Sequence, residues 1–236
     1  MPPQTKRAVA LLSSGLDSSV AMDLAHQHDC DVVLALTFDY GQRAAAREIA
    51  QAKAIASHLG IPHRVIRLDW FSSLTSGGGL LTDAQKLPQP TLEELSLLQA
   101  SQESAKAVWV PNRNGVFIEV AASIAEDLKA QMIIVGFNQE EAATFPDNSQ
   151  DYLIAITHAL SYSTANQVVV NSPTARLHKK EIVAEAIQNK FPLELVWSCY
   201  ENRERMCGRC ESCMRFKRAL AANQVSYESW FEHSLL

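Results

Sequence analysis

Short runs of uninterrupted apolar residues alternate with longer stretches of helical periodicity along most of this chain. Ala8-Val-Ala-Leu-Leu12 is apolar at every position, so both its faces must be covered if it is a strand. It stops at the small, turn-forming Ser13-Ser14-Gly15. Residues 18–28 then space Val20, Leu24 and Ala25 along one face of a helix. The alternation repeats with 32–38 as a buried strand, the alanine-rich 44–59 as a helix closed by Gly60 and Pro62, and 63–68 as a third strand. Further on, 116–128 is expected to be helix, 132–135 strand, 152–162 helix, 168–170 strand, and 180–189 and 211–222 helices. Strands covered on both faces and separated by helices imply an α/β fold, a Rossmann-like parallel sheet flanked by helices.

Between residues 69 and 108 the pattern breaks. Gly77-Gly78-Gly79, Pro88 and Pro90 surround one polar helix candidate, 92–105. This stretch, an insertion at about 70–107, reads either as a surface loop or as a lid over a site. A chain of 236 residues, 47% of them hydrophobic, can bury one sizeable core with a small appendage.

No apolar stretch approaches the ~20 residues needed to span a bilayer. The run ending at Leu12 is too short for a signal sequence, so the cytoplasm is the expected compartment. A net charge of −5 argues against a general nucleic-acid binder. Arg203, Arg205, Arg209, Arg215, Lys217 and Arg218 are a local exception, read as a solvated face diluted by Glu201, Glu204 and Glu211 rather than an RNA patch.

Leu12-Ser13-Ser14-Gly15-Leu16-Asp17-Ser18-Ser19 joins the first strand to the first helix. Small residues there let backbone approach an anion, and the N–H groups and dipole at a helix start favour phosphate. A plain strand-to-helix turn with a serine cap is the alternative. The sequence is neither a Gly-x-Gly-x-x-Gly nor a Walker loop, because no Gly-Lys-Ser/Thr follows.

Four of the five cysteines fall within fifteen residues. Cys199 precedes Cys207, Cys210 and Cys213, the last three each two residues apart. Four thiolates can close a tetrahedral zinc site and pin the C-terminal region by metal-coupled folding. An iron–sulfur cluster or a redox dithiol would also use such spacing; the usual downstream cysteine and proline of a cluster are absent. Cys30, between a helix and a strand, is expected to pack in the core.

The Ser13 loop resembles the Ser-Gly-Gly-x-Asp-Ser loop of the PP-loop ATP pyrophosphatases, with Ser14 where that family usually has glycine. Four further segments follow in order: Phe38-Asp-Tyr-Gly-Gln-Arg43, Pro111-Asn-Arg-Asn114, Gly136-Phe-Asn138 with Phe145-Pro-Asp-Asn148, and Lys179 after Ser172-Pro173. Together with the cysteine spacing they resemble the 7-cyano-7-deazaguanine synthases over nearly the whole chain. Asn148 stands where that family often shows cysteine.

The resemblance implies an ATP-dependent ligase in queuosine biosynthesis that joins ammonia to 7-carboxy-7-deazaguanine through an adenylated carboxylate; a tRNA-modifying PP-loop ligase or thiolase is the alternative. It implies a 1–196 nucleotide-binding domain carrying a 197–236 zinc-binding region, and a homodimer. Leu12, Ser13, Ser14, Gly15, Leu16, Asp17, Ser18, Ser19 and Val20 would bind ATP with magnesium, Asp17 positioning the metal–phosphate group. Asp17, Ser18, Arg113 and Lys179 would be catalytic, the last two on phosphates. Asn138, Phe145 and Asp147 would line the base pocket, and Cys199, Cys207, Cys210 and Cys213 would hold structural zinc. Ammonia is expected to arrive free, since Met1-Pro2 offers no amino-terminal cysteine nucleophile for glutamine hydrolysis.

Overall fold

A computed structural model describes residues 5–74, 79–81 and 87–234; Gly77 and Gly78 of the glycine run lie outside them. Five strands form one parallel sheet: β1 (Lys6–Leu11), β2 (Cys30–Asp39), β3 (His63–Arg67), β4 (Met132–Ile134) and β5 (Val169–Asn171), in the order β3-β2-β1-β4-β5. Nine helices connect or follow the strands: α1 (Leu16–Leu24), α2 (Ala45–His58), α3 (Phe71–Leu74), α4 (Leu98–Val108), α5 (Arg113–Asp127), α6 (Gln139–Ala142), α7 (Gln150–Ser163), α8 (Lys179–Gln188) and α9 (Glu211–Ala222), counted among the described residues.

The continuous apolar strands do what their sequences require. Along β1, Ala8 and Ala10 join a core under α1, α2, α8 and α9. Val9 between them joins a second core under α5 and α7. Period-two side chains on a strand covered on both sides leave no position for a polar residue. Alanine on the first face lets α1 and α2 approach closely, and Ala21, Ala52 and Ala56 on those helices are fully buried.

Two elements differ from expectation. Helix α1 ends at Leu24, and a wider π-helical turn, Ala25–Asp29, leads into β2. The polar helix expected at 92–105 is instead α4, preceded by a 3-10 turn at Glu94–Ser96. The reason is local: Thr91 N–H donates to Glu94 Oε2 (2.7 Å) while Glu94 N–H donates to Thr91 Oγ1 (3.3 Å). That reciprocal cap closes a short turn, and α4 starts only after Leu97 turns extended.

The C-terminal cysteines share the core of α1, α2 and α8, together with Phe216, Tyr227 and Phe231. Cys30 is buried there too, its thiol donating to the Ala25 carbonyl (3.5 Å). Of the basic residues near the C-terminus, Arg203, Arg205 and Arg209 are exposed as expected, whereas the three on α9 turn inward. Lys217 is wholly buried and donates to the His233 carbonyl (3.0 Å). Arg215 pairs with Glu211 (2.7 Å) and Glu140 (3.2 Å), and Arg218 pairs with Glu140 (2.9 Å). Glu140 lies far off in sequence, so spacing alone did not reveal this neutralisation. Among the described residues no helix is long and apolar enough to cross a membrane.

Candidate functional site

The chain winds from β1 outward to β3, then returns to place β4 on the other side of β1. The loops leaving the carboxyl ends of β1 and β4 therefore diverge, and a parallel sheet opens a ligand crevice at such a point. A cavity of about 270 Å³ lies there, lined among others by Ser13, Gly15, Asp17, Ser18, Gly136 and Lys179.

The Ser13 loop is tightly made. Ser18 Oγ accepts from Ser13 N–H (3.2 Å) and lies 3.0 Å from Ser13 Oγ. Ser14 adopts φ 61°, the left-handed region where glycine is normally easiest, which accounts for glycine being usual at this position of the resembling loops. Its carbonyl accepts from Trp197 N–H (2.9 Å), tying the loop to the segment before the cysteines. Gly136 at the end of β4 faces the first turn of α1 so closely that any β-carbon would run into the Ser18 backbone. Glycine here is a packing requirement of the loop.

Behind the loop, three charged residues from separate elements meet. Lys179, the first residue of α8, donates to Asp17 Oδ2 (2.6 Å) and Glu141 Oε1 (2.9 Å). Burial pushes the Asp17 carboxyl up to about 6, with Lys179 holding it back and Glu141 adding to the rise. Burial works against the Lys179 ammonium, yet the two carboxylates outweigh it and its pKa is raised. Burial likewise disfavours the Glu141 anion, but Lys179 and the Asn138 contact win, and its pKa is lowered. Glu141 and Lys179 are thus the firm ion pair, and of the two carboxylates on Lys179 it is Asp17 that titrates nearer neutrality.

Among the described residues, four buried polar atoms in or near this loop have no hydrogen-bond partner: Ser14 Oγ, Asp17 Oδ1, Ser19 Oγ and Asn138 Nδ2. Leaving such groups bare costs about 1–3 kcal/mol each; of the four residues only Asp17 lines the cavity, beside the Ser13 and Ser18 hydroxyls. The donor set of hydroxyls, one carboxylate and one ammonium fits a magnesium-bound triphosphate.

Across the cavity, α5 opens with Arg113 after Asn112, itself left-handed at φ 51°. Arg113 donates to Tyr40 Oη (3.5 Å) and to Asn114 Oδ1 (3.4 Å). Phe145 lies parallel to Trp109, ring centroids 6.0 Å apart and 12° between planes, and both line the cavity. Asp147 lines it too, accepting from Asn148 Nδ2 (3.1 Å), and burial raises its pKa. Asn138 is placed differently: wholly buried, its Oδ1 accepts from Glu141 N–H (2.9 Å) and so caps α6. Val20, Ser14 and Ser19 back the loop from within the core.

Sequence reasoning missed Glu141 and Glu48. Glu141 was hidden in the acidic run Glu140-Glu141, where nothing marks which carboxylate turns inward. Glu48 lies on the alanine-rich α2 and lines the cavity, taking a 2.7 Å hydrogen bond from Gln42 Nε2. Its nearness to the Phe38–Arg43 motif was the only available signal.

The four clustered cysteines come together as their spacing requires. Their sulfurs all lie within 4.8 Å of one another, and all four residues are buried. Cys207 and Cys213 sulfurs are 3.9 Å apart, close to the ~3.8 Å edge of a tetrahedron with ~2.3 Å zinc–sulfur bonds. Backbone N–H groups of Cys207 (3.3 Å) and Glu201 (3.4 Å) point at Cys199 Sγ, and those of Cys210 (3.3 Å) and Arg209 (3.4 Å) at Cys207 Sγ. The neighbouring thiols, Cys199 first, hold Cys207 far below the usual thiol range. Gly208 at φ +71° turns the chain here, where a β-carbon would strike the His233 carbonyl. The cluster can hold a metal ion.

The profile of the family "Queuosine biosynthesis protein QueC" matches residues 7–224. A 7-cyano-7-deazaguanine synthase of Bdellovibrio bacteriovorus is 48% identical over 97% of this chain and 99% of its own length. Those of Desulforamulus reducens and Methanosarcina barkeri are 50% and 48% identical, each over 90% of this chain and 92% and 93% of their own lengths. With a parallel sheet opening at its switch point onto the Ser13 loop, and four cysteines gathered beside it, the chain belongs to the QueC family of queuosine biosynthesis proteins.

Proposed function

We propose that this chain is an ATP-dependent C–N ligase that converts 7-carboxy-7-deazaguanine and ammonia to 7-cyano-7-deazaguanine in the cytoplasm. The observation that carries the reading is the Ser13–Ser18 turn lining the cavity, with Asp17 Oδ1 unpartnered among the described residues, set against the Asp17–Lys179–Glu141 triad in a chain of this family.

A carboxylate resists attack by an amine because of its charge and lacks a leaving group. In this reading the Ser13 loop binds the β- and γ-phosphates, so that the carboxylate displaces pyrophosphate and becomes an acyl adenylate. Lys179 and Arg113, both lining the cavity, would neutralise phosphate charge from its two walls. Magnesium, held by Asp17 through its unpartnered Oδ1, would neutralise the triphosphate. Phe145 and Trp109 give the deazapurine an aromatic platform, and Asp147 offers a carboxylate to the N–H edge of the base. Ammonia then displaces AMP to form the amide. A second adenylation, on the amide oxygen, lets AMP and a proton depart and leaves the nitrile. Alignment and charge neutralisation of this kind lower barriers by several kcal/mol.

Cys199, Cys207, Cys210 and Cys213 would hold zinc, which supplies folding energy to residues 197–236 against the 1–196 nucleotide-binding part, with about 70–107 as an insertion in it. The reading includes a homodimer, testable by sedimentation. The pairing of Arg215 and Arg218 with Glu140 takes two of the basic C-terminal charges away from an RNA-modifying alternative.

The decisive test supplies purified protein with magnesium-ATP, 7-carboxy-7-deazaguanine and ammonium. The nitrile, AMP and pyrophosphate are expected. Turnover that requires tRNA, or none with the carboxylated base, would overturn the reading.

A further inference from the structure

The cavity lining carries four carboxylates: Asp17, Glu48, Glu141 and Asp147. Asp17 and Glu141 are committed to Lys179. Asp147, held by Asn148, is assigned above to the base. Glu48 is left. Its one hydrogen bond among the described residues comes from Gln42, and no ion pair of it appears there.

Gln42 is itself locked in place. Its Oε1 accepts from Tyr40 N–H (3.0 Å), and its Nε2 donates both to the Phe38 carbonyl (3.0 Å) and to Glu48 Oε2 (2.7 Å). Gln42 is 6% exposed, so this orientation is imposed by backbone on both sides. One Glu48 oxygen is therefore fixed against the segment that leaves β2, by a neutral donor, at the wall of the cavity. A neutral clamp positions a carboxylate without spending its charge, which an arginine or lysine would do.

Resting on the functional reading above, we propose that Glu48 is the ammonium site of this enzyme: it binds the cation and accepts one of its protons, delivering ammonia to the acyl adenylate. At neutral pH dissolved ammonia is almost wholly ammonium, which has no lone pair to attack with. Glu48 takes a proton from it, giving the carboxylic acid and ammonia. The ammonia lone pair forms the C–N bond as the bond from carbon to the AMP oxygen breaks. The surplus proton on the new nitrogen passes to water, and Glu48 returns its own proton to solvent before the next cycle.

The charges around Glu48 suit such an exchange. Burial raises its pKa to about 7; the Gln42 bond and the Arg113 charge hold it back, and Asp39 adds to the rise. Tyr40 lies beside the same groups. Such a carboxyl gains and loses a proton near neutral pH, as a general base working there must.

Hydroxylamine is largely uncharged at neutral pH and needs no deprotonation before attack. The test therefore gives Glu48→Gln both nucleophiles in competition, at pH 7, and measures amide against hydroxamate. The glutamine keeps an oxygen for Gln42 to bond. The amide-to-hydroxamate ratio is expected to fall about a hundredfold relative to the unaltered enzyme. An unchanged ratio overturns the proposal, as does loss of carboxylate-dependent ATP–pyrophosphate exchange in folded Glu48→Gln, which would assign Glu48 to adenylation or to the base. A second measurement needs no variant. In the unaltered enzyme, the KM for total ammonium should level off above pH about 7, where Glu48 is ionised. A continued fall of about tenfold per pH unit, the behaviour of free ammonia alone, overturns the proposal too. If the unaltered enzyme shows no exchange with 7-carboxy-7-deazaguanine, the functional reading fails instead, and the two failures stay distinct.

Discussion

The Ser13 loop and the cysteine cluster share one core, yet they treat their polar groups in opposite ways. Around the loop, Ser14 Oγ, Asp17 Oδ1, Ser19 Oγ and Asn138 Nδ2 are buried without partners among the described residues. Around the cysteines, the Cys199 and Cys207 sulfurs receive N–H groups from Glu201, Cys207, Arg209 and Cys210. A ligand that comes and goes needs groups that stay unsatisfied between visits, at a cost to stability. A ligand that stays can be counted into the fold, so its donors are pre-arranged. On the reading proposed above, the difference teaches that the cluster serves the fold and the loop serves the ligand.

That contrast breaks most readily at the cysteines. Cys210→Ser should lose the metal and destabilise the protein by about 4 kcal/mol, because the remaining thiolates lose a shared partner. Denaturant melts and elemental analysis check this. One zinc per unaltered chain is expected, and iron in its place would remove the zinc assignment.

Lys179 comes next, since it belongs to both the loop and the core. Lys179→Met leaves Asp17 and Glu141 buried with their charge uncompensated, which should cost about 3 kcal/mol of stability as well as turnover. If its melting curve is unchanged, the triad is not the strut that its 2.6 and 2.9 Å contacts indicate.

Asp17→Asn separates the two regions more sharply. It should lower turnover about a hundredfold while changing stability by under about 1 kcal/mol, since Lys179 keeps Glu141. Single-turnover rates alongside calorimetry decide it; a near-normal rate would count against the loop as the phosphate site.

The smallest effect is a slope. Burial raises the Asp17 carboxyl to about 6 in the fold, from 3.8 for a free aspartate, so the folded protein binds the proton more tightly. Its contribution to stability is present at low pH and is lost as pH rises from about 4 through about 6. Binding of magnesium-ATP runs the other way, because it needs the ionised carboxylate. The kcat/KM for ATP should fall about tenfold per pH unit below 6, while stability gains from the same protonation. In Asp17→Asn both slopes should flatten, which melts and initial rates across pH 4 to 8 can follow.

How much of this was legible beforehand follows the range of the interactions. Elements built on local periodicity, such as β1 and α9, were readable because burial on both faces, or on one helical stripe, leaves its mark in consecutive residues. The loop was readable as a run of small hydroxyl residues after a strand, and the cysteines by their spacing. The start of α4 was not read, because a reciprocal Thr91–Glu94 cap competes with the helix over one turn.

By itself, then, the sequence determined which segments are strands, that the sheet is parallel, where the phosphate-type turn lies and which four cysteines converge. Each rests on contacts between residues near one another in the chain, or on a pattern that repeats. Only the tertiary structure decided which charges face each other. Lys179 meets Asp17 across 162 residues and Glu141 across 38, and Arg215 meets Glu140 across 75. Those partnerships follow from placing β4 beside β1 and α8 beside α1. A charged side chain carries no mark of its partner, because Coulomb attraction is blind to sequence and acts only once the fold has brought the two together.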